Sequence, residues 1–259
     1  MAQTIGVYSD VRPIPDTGRL SYGRTPSRDE VVLKANRVPE DWSDPESHAR
    51  QTQFARLQLR HEAHIIGRLE HPNICTVLDQ VEEGEREYVV MPQYGTTTLV
   101  NIGEMQAIGR VATQVSGALV YIHREGLVHR DVKPGNIVIS PSGKATLIDF
   151  ETSFSIGTTP LELWGSQNFM SPEHLKWQPV STTNDVYSLC ATIYSVAGQS
   201  YALALQIPGA KHALRPLKCL GHAAEAIFAG LDTDPVKRPS MEDIAQKLAS
   251  QFGLEGRFS

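Results

Sequence analysis

One polar loop and the apolar stretch behind it constrain this chain more than any other feature. The sequence HRDVKPGN occupies residues 129–136, so Asp131, Lys133 and Asn136 place an acid, a cation and an amide on one short loop. The residues that follow, IVISPSGKATLI, predict two short strands joined by PSG. Such a hairpin would bring Asn136 beside Asp149, which ends the apolar run 13 residues later.

The residue types at this predicted hairpin base favour one kind of chemistry. Burying Asp149 at the end of a strand costs free energy unless a partner compensates its charge. An amide oxygen and a carboxylate suit a hard cation such as Mg²⁺, which proteins bind through one or two carboxylates together with substrate phosphates. A lysine two residues after a carboxylate suits a migrating phosphoryl group. The loop therefore favours magnesium-dependent phosphoryl transfer.

The front third of the chain is predicted to be rich in strands, with one long helix. Short β-branched runs lie at EVVLKA and REYVVM, residues 30–35 and 86–91. Between them, a helix is predicted to start at Ser43 or Asp44, because Pro45 fits its first turn. It should end near the pair His71-Pro72, since proline discourages continuation.

After Gly95 the pattern becomes mainly helical. In MQAIGRVATQVSGALVYIHREG, apolar residues at helical spacing predict a core-facing helix; they are Ile108, Val111, Ala112, Val115, Leu119 and Ile122. A strand-rich front, a short PQYG connector and a helical back predict an α+β fold with two lobes.

With these motifs in place, the chain resembles the eukaryotic-type protein kinases nearly from end to end. The resemblance implies a bilobal kinase-like fold, with a strand-rich N-lobe at residues 1–94 and a helical C-lobe at residues 95–259. It implies that Asp131 accepts the proton of the substrate hydroxyl and that Lys133 contacts the γ-phosphate of ATP. It also implies that Asn136 and Asp149 bind Mg²⁺.

Further residues fit the nucleotide site of that family. VVLK supplies Lys34 for the α- and β-phosphates, and the helix glutamate expected to pair with it falls on Glu62. Met91 would be the gatekeeper next to adenine, while the Pro92 carbonyl and the Tyr94 N–H would face the base. The resemblance implies nucleotide contacts for Lys34, Glu62, Gly18, Leu20, Met91, Pro92, Tyr94 and Val138.

The sequence GSQNFMSPE resembles the end of a kinase activation segment, and it places Glu173 in the family's APE motif. The family pairs this glutamate with a buried arginine, here Arg238, and Asp185 would lie on the central buried helix. Lys133, together with Ser166 near it, favours serine and threonine acceptors over tyrosine.

Two positions depart from the family pattern. In the phosphate-covering loop only Gly18 and Leu20 match, and Pro13 and Pro15 stand where glycines are usual. Proline offers no N–H to a phosphate. Glu151 replaces the glycine of DFG, which should restrict flipping of the motif without removing a metal ligand. These departures leave open an alternative, a pseudokinase that acts as a nucleotide-binding or scaffolding module.

A further expectation concerns activation. Kinases with an arginine before the catalytic aspartate, here Arg130, usually need a phosphate on the activation segment to neutralise it. The usual spacing from Glu173 leads to Glu162, whose carboxylate could stand in for that phosphate. The alternative is that Glu162 faces solvent and that Thr158 or Thr159 is the phosphorylation site.

Composition and insertions limit the partners. The formal net charge is −5, with 24 basic and 29 acidic residues, which predicts no binding to nucleic acid or to a membrane. Three separated cysteines and the lack of an apolar run long enough to span a bilayer favour a cytoplasmic setting.

Because 28 residues separate Lys34 from Glu62, the insertion before the Glu62 helix is either a solvated loop or a docking surface for a regulatory partner. The main partner expected is a protein substrate with a serine or threonine acceptor.

Overall fold

A computed structural model describes residues 3–38, 44–161, 164–198, 217 and 220–252. The chain divides into two compact units. Residues 1–70 and 75–94 form the first unit, and residues 71–74 and 95–259 form the second.

The first unit is built on a six-stranded antiparallel sheet. Its strands are β1 (Gln3–Ile5), β2 (Tyr8–Pro13), β3 (Leu20–Arg24), β4 (Glu30–Ala35), β5 (Asp79–Glu83) and β6 (Arg86–Pro92). They lie in the order β1-β2-β3-β4-β6-β5. In β4, Val31 and Leu33 are buried and pack with Val90 of β6 in one apolar cluster, as expected for strands with a buried face. The two predicted β-branched runs are therefore confirmed as adjacent central strands.

One helix, α1 (Pro45–Ile66), accompanies this sheet. Asp44 caps its start, because the carboxylate accepts hydrogen bonds from the backbone N–H groups of Glu46 and Ser47 at 3.2 and 3.3 Å. The predicted start is thus confirmed, whereas the predicted end near His71 is wrong: the helix ends at Ile66. Gly67 caps it, donating its N–H to the Ala63 carbonyl at 2.9 Å, so the turn comes before the proline.

The second unit is mainly helical. Its described elements are β7 (Thr97–Thr98), α2 (Met105–Arg124), β8 (Leu127–Val128), β9 (Ile137–Ile139), β10 (Ala145–Leu147), β11 (Phe154–Ser155), α3 (Pro172–Leu175), α4 (Thr182–Gly198), α5 (Ala223–Ala229) and α6 (Met241–Phe252). The apolar face predicted for α2 is confirmed, because all six of its residues are buried. This helix packs against both α4 and α6. An antiparallel sheet with one helix, followed by a mainly helical unit, confirms the predicted α+β class.

Two short sheets in the second unit position the polar loop. Strand β9 pairs with β10 and with β7, and β8 pairs with β11. In the β9–β10 hairpin, Ile137 lies opposite Leu147. The Ile148 N–H then donates to the Asn136 carbonyl at 3.0 Å. The hairpin base therefore keeps the backbones of Asn136 and Asp149 together, as its length predicts.

The described cysteines and helices bear on the setting of the chain. Cys75 and Cys190 are buried and belong to no disulfide among the described residues, whereas Cys219 lies outside the described part of the chain. Among the helices that the structure describes, none combines the length and the apolar character needed to cross a membrane.

Candidate active site

The second unit contains a hydrogen-bonded cluster around Asp131. One carboxylate oxygen, Oδ2, accepts from Lys133 Nζ at 2.7 Å and from Asn136 Nδ2 at 3.1 Å. The other, Oδ1, accepts the backbone N–H of Ser166 at 2.8 Å. Lys133 Nζ also donates to Ser166 Oγ at 2.8 Å, so the predicted contact between Ser166 and the catalytic loop is confirmed. The structure thus brings three sequence-predicted residues to one carboxylate and fixes its orientation.

The setting of Asp131 suits a proton acceptor. The Asp131 side chain is buried. Lys133, whose own side chain is 29% exposed, supplies a positive charge beside it. Hydrogen bonds from a cation and from backbone and amide N–H groups hold the carboxylate in one orientation. A partly exposed ammonium group 2.7 Å away can also interact with an anionic group that approaches the carboxylate. Such a pair can orient a hydroxyl and stabilise negative charge that develops next to it.

Asn136 and Asp149 fit the role of cation ligands. The Asn136 side chain directs Nδ2 to the backbone carbonyl of Asp131 at 2.9 Å as well as to its carboxylate, so the amide oxygen can serve as a ligand. The carboxylates of Asp149 and Glu151 approach each other within 4.8 Å. Amide and carboxylate oxygens are the ligands that Mg²⁺ prefers in proteins. The donor set therefore suits a hard divalent cation.

Two non-glycine residues here adopt left-handed backbone conformations. The φ angle is 69° at Arg130 and 69° at Asp149, a conformation that costs free energy for residues with a side chain. Such strain persists where surrounding contacts fix the backbone. At Arg130 the backbone N–H donates to Asp185 Oδ1 at 2.8 Å. The strained positions therefore coincide with the predicted catalytic loop and with the predicted metal ligand.

Asp185, on α4, holds the backbone of the loop that carries Asp131. It is fully buried, and its Oδ2 accepts the backbone N–H of His129 at 2.8 Å and lies 2.9 Å from His123 Nε2. Burial alone would raise the pKa of Asp185, but the hydrogen bonds and the nearby histidines hold it below its usual value. The sequence placed Asp185 on a buried helix, which is confirmed, but gave no sign of its partner His123.

The end of the activation segment, residues 149–173, is fixed by an ion pair. Arg238 donates through Nη1 and Nη2 to the two carboxylate oxygens of Glu173 at 2.6 and 2.8 Å. Burial would raise the pKa of Glu173, but its bonds to Arg238 outweigh burial and lower the pKa. The predicted pair is confirmed.

Upstream, Gly165 has a φ of 123°, and a Cβ there would lie 3.1 Å from the Arg130 carbonyl. A glycine is therefore needed where the segment passes the catalytic loop.

In the first unit, Lys34 of β4 and Glu62 of α1 form the predicted pair. Lys34 Nζ donates to Glu62 Oε2 at 2.6 Å, and the side chains are 5% and 1% exposed. A buried ion pair requires good geometry, because both charges lose their hydration. The pair therefore locks the position of the lysine relative to the helix.

The β2–β3 hairpin contains the residues predicted to form the phosphate-covering loop. Ile14 N–H donates to the Leu20 carbonyl at 2.8 Å, and Thr17 N–H donates to the Ile14 carbonyl at 3.4 Å. The Leu20 N–H donates to Thr17 Oγ1 at 3.3 Å. Several backbone N–H groups of the turn are thus used within it. Gly18, with a φ of 66°, supplies the left-handed residue that the turn needs.

The remaining predicted nucleotide residues lie in regular positions of their own units. Met91 and Pro92 end β6, and Val138 is the central residue of β9. The Tyr94 hydroxyl accepts the backbone N–H of Thr76 at 2.6 Å. Their contacts with adenine stay predictions.

No sequence pattern indicated another partner in this region, His174. It follows Glu173 on α3, and its Nε2 lies 2.7 Å from Nη2 of Arg130. The position of Arg130 before Asp131 was the one signal that Arg130 needs a partner. The candidate expected from the sequence, Glu162, lies outside the described residues.

Comparisons with known proteins agree with this geometry. Residues 43–248 match the protein kinase domain family. The chain is 29% identical over 188 residues to the serine/threonine-protein kinase TIO of Arabidopsis thaliana, covering 69% of this chain and 14% of that protein. It is 31% identical over 160 residues to the probable serine/threonine-protein kinase PknB of Bifidobacterium longum, covering 54% and 23%. It is 37% identical over 149 residues to the serine/threonine-protein kinase PknK of Mycobacterium bovis, covering 52% and 13%.

The matches cover different shares of this chain and of its relatives. The chain spans less than a quarter of the length of these three relatives. The family match begins after Lys34, so the assignment of the N-terminal strands depends on the Lys34–Glu62 pair and on the sheet order. Since the match nevertheless covers most of the chain and includes the Asp131 cluster, the chain belongs to the protein kinase family.

Proposed function

We propose that this protein is an active serine/threonine kinase, which transfers the γ-phosphoryl group of ATP to hydroxyl groups of protein substrates. The observation that carries the proposal is the fixed cluster of Asp131, Lys133, Asn136 and Ser166. Phosphoryl transfer requires little covalent chemistry from the protein, so positioning and charge stabilisation account for most of the catalysis. This cluster supplies both.

Each residue of the cluster has a distinct task in the proposed reaction. Asp131 orients the substrate hydroxyl and accepts its proton as the oxygen attacks the γ-phosphorus and the bond to the β-phosphate oxygen breaks. Lys133 compensates negative charge on the phosphoryl oxygens. Asn136 and Asp149 would bind Mg²⁺, which neutralises phosphate charge when it is bound. Lys34, held by Glu62, would contact the α- and β-phosphates.

The acceptor specificity follows from Lys133 and Ser166. The 2.8 Å bond between Lys133 Nζ and Ser166 Oγ joins the catalytic loop to the activation segment, as in the family's serine/threonine members. The relatives named above are serine/threonine kinases by name. Cys75 and Cys190 are buried and belong to no disulfide among the described residues, which fits a reducing, cytoplasmic setting.

A regulatory partner is proposed at α1, the helix that carries Glu62. Phe54 and Leu57 on this helix are 46% and 52% exposed, one helical turn apart. Large apolar side chains on the surface of a helix suit contact with another protein. A partner bound there would act on the Lys34–Glu62 pair through the position of the helix.

The β2–β3 hairpin favours a second candidate function, a nucleotide-binding or scaffolding pseudokinase. Its turn uses backbone N–H groups internally, and Pro13 and Pro15 have none to offer, so the grip on phosphates is expected to be weaker than in family members with a full glycine loop.

Thermal unfolding with nucleotide separates the two candidates. A ligand that binds only the folded state adds about 2.7 kcal/mol of stability at 100 times its Kd. Millimolar ATP with Mg²⁺ should therefore raise the melting temperature more than ATP with a chelator, and labelled ATP should give phosphoserine or phosphothreonine on an acceptor protein. A shift without phosphotransfer would favour the scaffold, and no shift under any metal condition would contradict nucleotide binding.

A further inference from the structure

The guanidinium group of Arg130 is enclosed by the protein itself. Arg130 is only 3% exposed. Its Nη1 donates to the Thr152 carbonyl at 3.3 Å, its Nη2 lies 2.7 Å from His174 Nε2, and its guanidinium carbon lies 5.3 Å from the centre of the Phe154 ring. A buried guanidinium needs partners, because it loses its hydration. Here all three partners belong to the activation segment or to helix α3, in which the segment ends.

The contact fixes the chemical state of His174. A guanidinium has donors only, so Nε2 of His174 must accept, and a neutral ring with its proton on Nδ1 is assigned from these roles. His174 is 3% exposed. Burial first, and then the charge of Arg130, lower the pKa of His174 to about 4, against smaller opposing effects of Asp185, Glu173 and the Trp164 backbone. The imidazole therefore stays a neutral acceptor near neutral pH.

The positive charge of Arg130 is balanced from within the fold as well. The carboxylate of Asp185 accepts the Arg130 backbone N–H at 2.8 Å and attracts the guanidinium charge, although burial still lowers the pKa of Arg130 to about 10. Two of the three guanidinium nitrogens of Arg130 thus have an acceptor, and its charge has a counterion, without a phosphate. Its buried Nε, like Nδ1 of His174, has no hydrogen-bond partner among the described residues.

We propose that His174 is the resident partner of Arg130 and holds the activation segment against the catalytic loop, so that phosphotransfer needs no phosphate on the segment. The inference rests on the proposed kinase function. His174 touches no reacting atom, so it is a positioning residue: it ties the far end of the segment to the same guanidinium that binds Thr152 near its beginning. Its own place is fixed by the neighbouring Glu173–Arg238 pair.

Kinetic variants test this role. Phosphatase-treated protein and the double variant Thr158→Ala/Thr159→Ala should keep kcat within about twofold. His174→Leu removes the acceptor at similar volume and should lower kcat roughly ten- to a hundredfold, as small displacements of catalytic groups do. His174→Gln, whose amide oxygen can accept from Arg130, should restore most of the rate. Loss of activity after phosphatase treatment, or an undiminished rate in His174→Leu, would overturn the proposal.

A second readout does not depend on catalysis. Hydrogen exchange of unphosphorylated protein should show protection in residues 150–161 that is lost in His174→Leu and kept in His174→Gln. Nitrogen NMR of the wild type should find Nδ1 protonated and Nε2 unprotonated at pH 7. If the wild type transfers no phosphate but these signatures hold, the proposed function fails and the inferred contact stands. Equal protection in all three proteins, or a charged imidazole at pH 7, would overturn the inference whatever the activity.

Discussion

The neutral buried histidine at position 174 has a consequence for stability that can be calculated. Its pKa lies near 4 in the folded protein, against an ordinary value of 6.5. The unfolded state therefore binds more protons between these two values, and stability contributed by the neutral form is lost as pH falls through this window. The full difference corresponds to roughly 3 kcal/mol at about 1.36 kcal/mol per pKa unit. About 2 kcal/mol of it should disappear between pH 7 and pH 5.

Urea unfolding of wild type, His174→Gln and His64→Gln at several pH values measures this effect. His64 is exposed, so His64→Gln controls for the loss of a histidine from the protein surface. Between pH 7 and pH 5, wild type and His64→Gln should lose about 2 kcal/mol more stability than His174→Gln, because only the last lacks the buried base.

Other groups titrate in or near the same pH range, but their contributions to stability can be separated from that of His174. The pKa of His71 is also lowered by burial, and it contributes equally to all three proteins. Glu173 and Asp185 have pKa values below their ordinary ones, so their contributions are lost at lower pH. Parallel curves for wild type and His174→Gln above pH 5 would refute the buried neutral imidazole.

Two further substitutions test other parts of the site. Glu151→Gly, which removes the carboxylate near Asp149 but no proposed catalytic group, should keep magnesium-dependent activity within about tenfold, about 1.4 kcal/mol; complete loss would show that Glu151 itself binds the metal. Arg238→Gln should cost about 3–5 kcal/mol in urea unfolding, because it leaves Glu173 buried without its partner. The neighbouring Lys237→Gln, at a side chain that is 67% exposed, should cost almost nothing, and equal losses in both variants would contradict the buried pair.

Local patterns predicted a large part of the fold. The helical spacing of apolar residues identified α2, and β-branched runs identified β4 and β6, because one face of each must be buried. Asp44 before Pro45 located the start of α1, since a cap is a contact within four residues. The end of α1 was misjudged, because the helix ends at Ile66, with the Gly67 N–H bonded to the Ala63 carbonyl, well before Pro72 could end it.

The candidate site was likewise predictable only in part from the sequence. Motif spacing placed Asp131, Lys133 and Asn136 on one loop and identified Lys34 and Glu62 as partners. The contacts of His174 with Arg130 and of His123 with Asp185 join residues 44 and 62 positions apart. No periodicity or cap marks such contacts, which arise only when α3 and α4 pack against the catalytic loop. The internal bonding of the β2–β3 turn likewise depends on Thr17, whose role is visible only once the backbone turns.

The most direct test of the proposed catalytic cluster is phosphate transfer by Asp131→Asn. Labelled ATP, Mg²⁺ and an acceptor protein are incubated with wild type, with Asp131→Asn and with the control Asp232→Asn, and melting curves confirm that all three fold. Removing a positioned proton acceptor commonly costs about two or more orders of magnitude in rate. Asp131→Asn should therefore lose at least about a hundredfold in transfer to serine or threonine, while Asp232→Asn keeps the wild-type rate. Undiminished transfer by folded Asp131→Asn would contradict the assignment of Asp131 as the catalytic base.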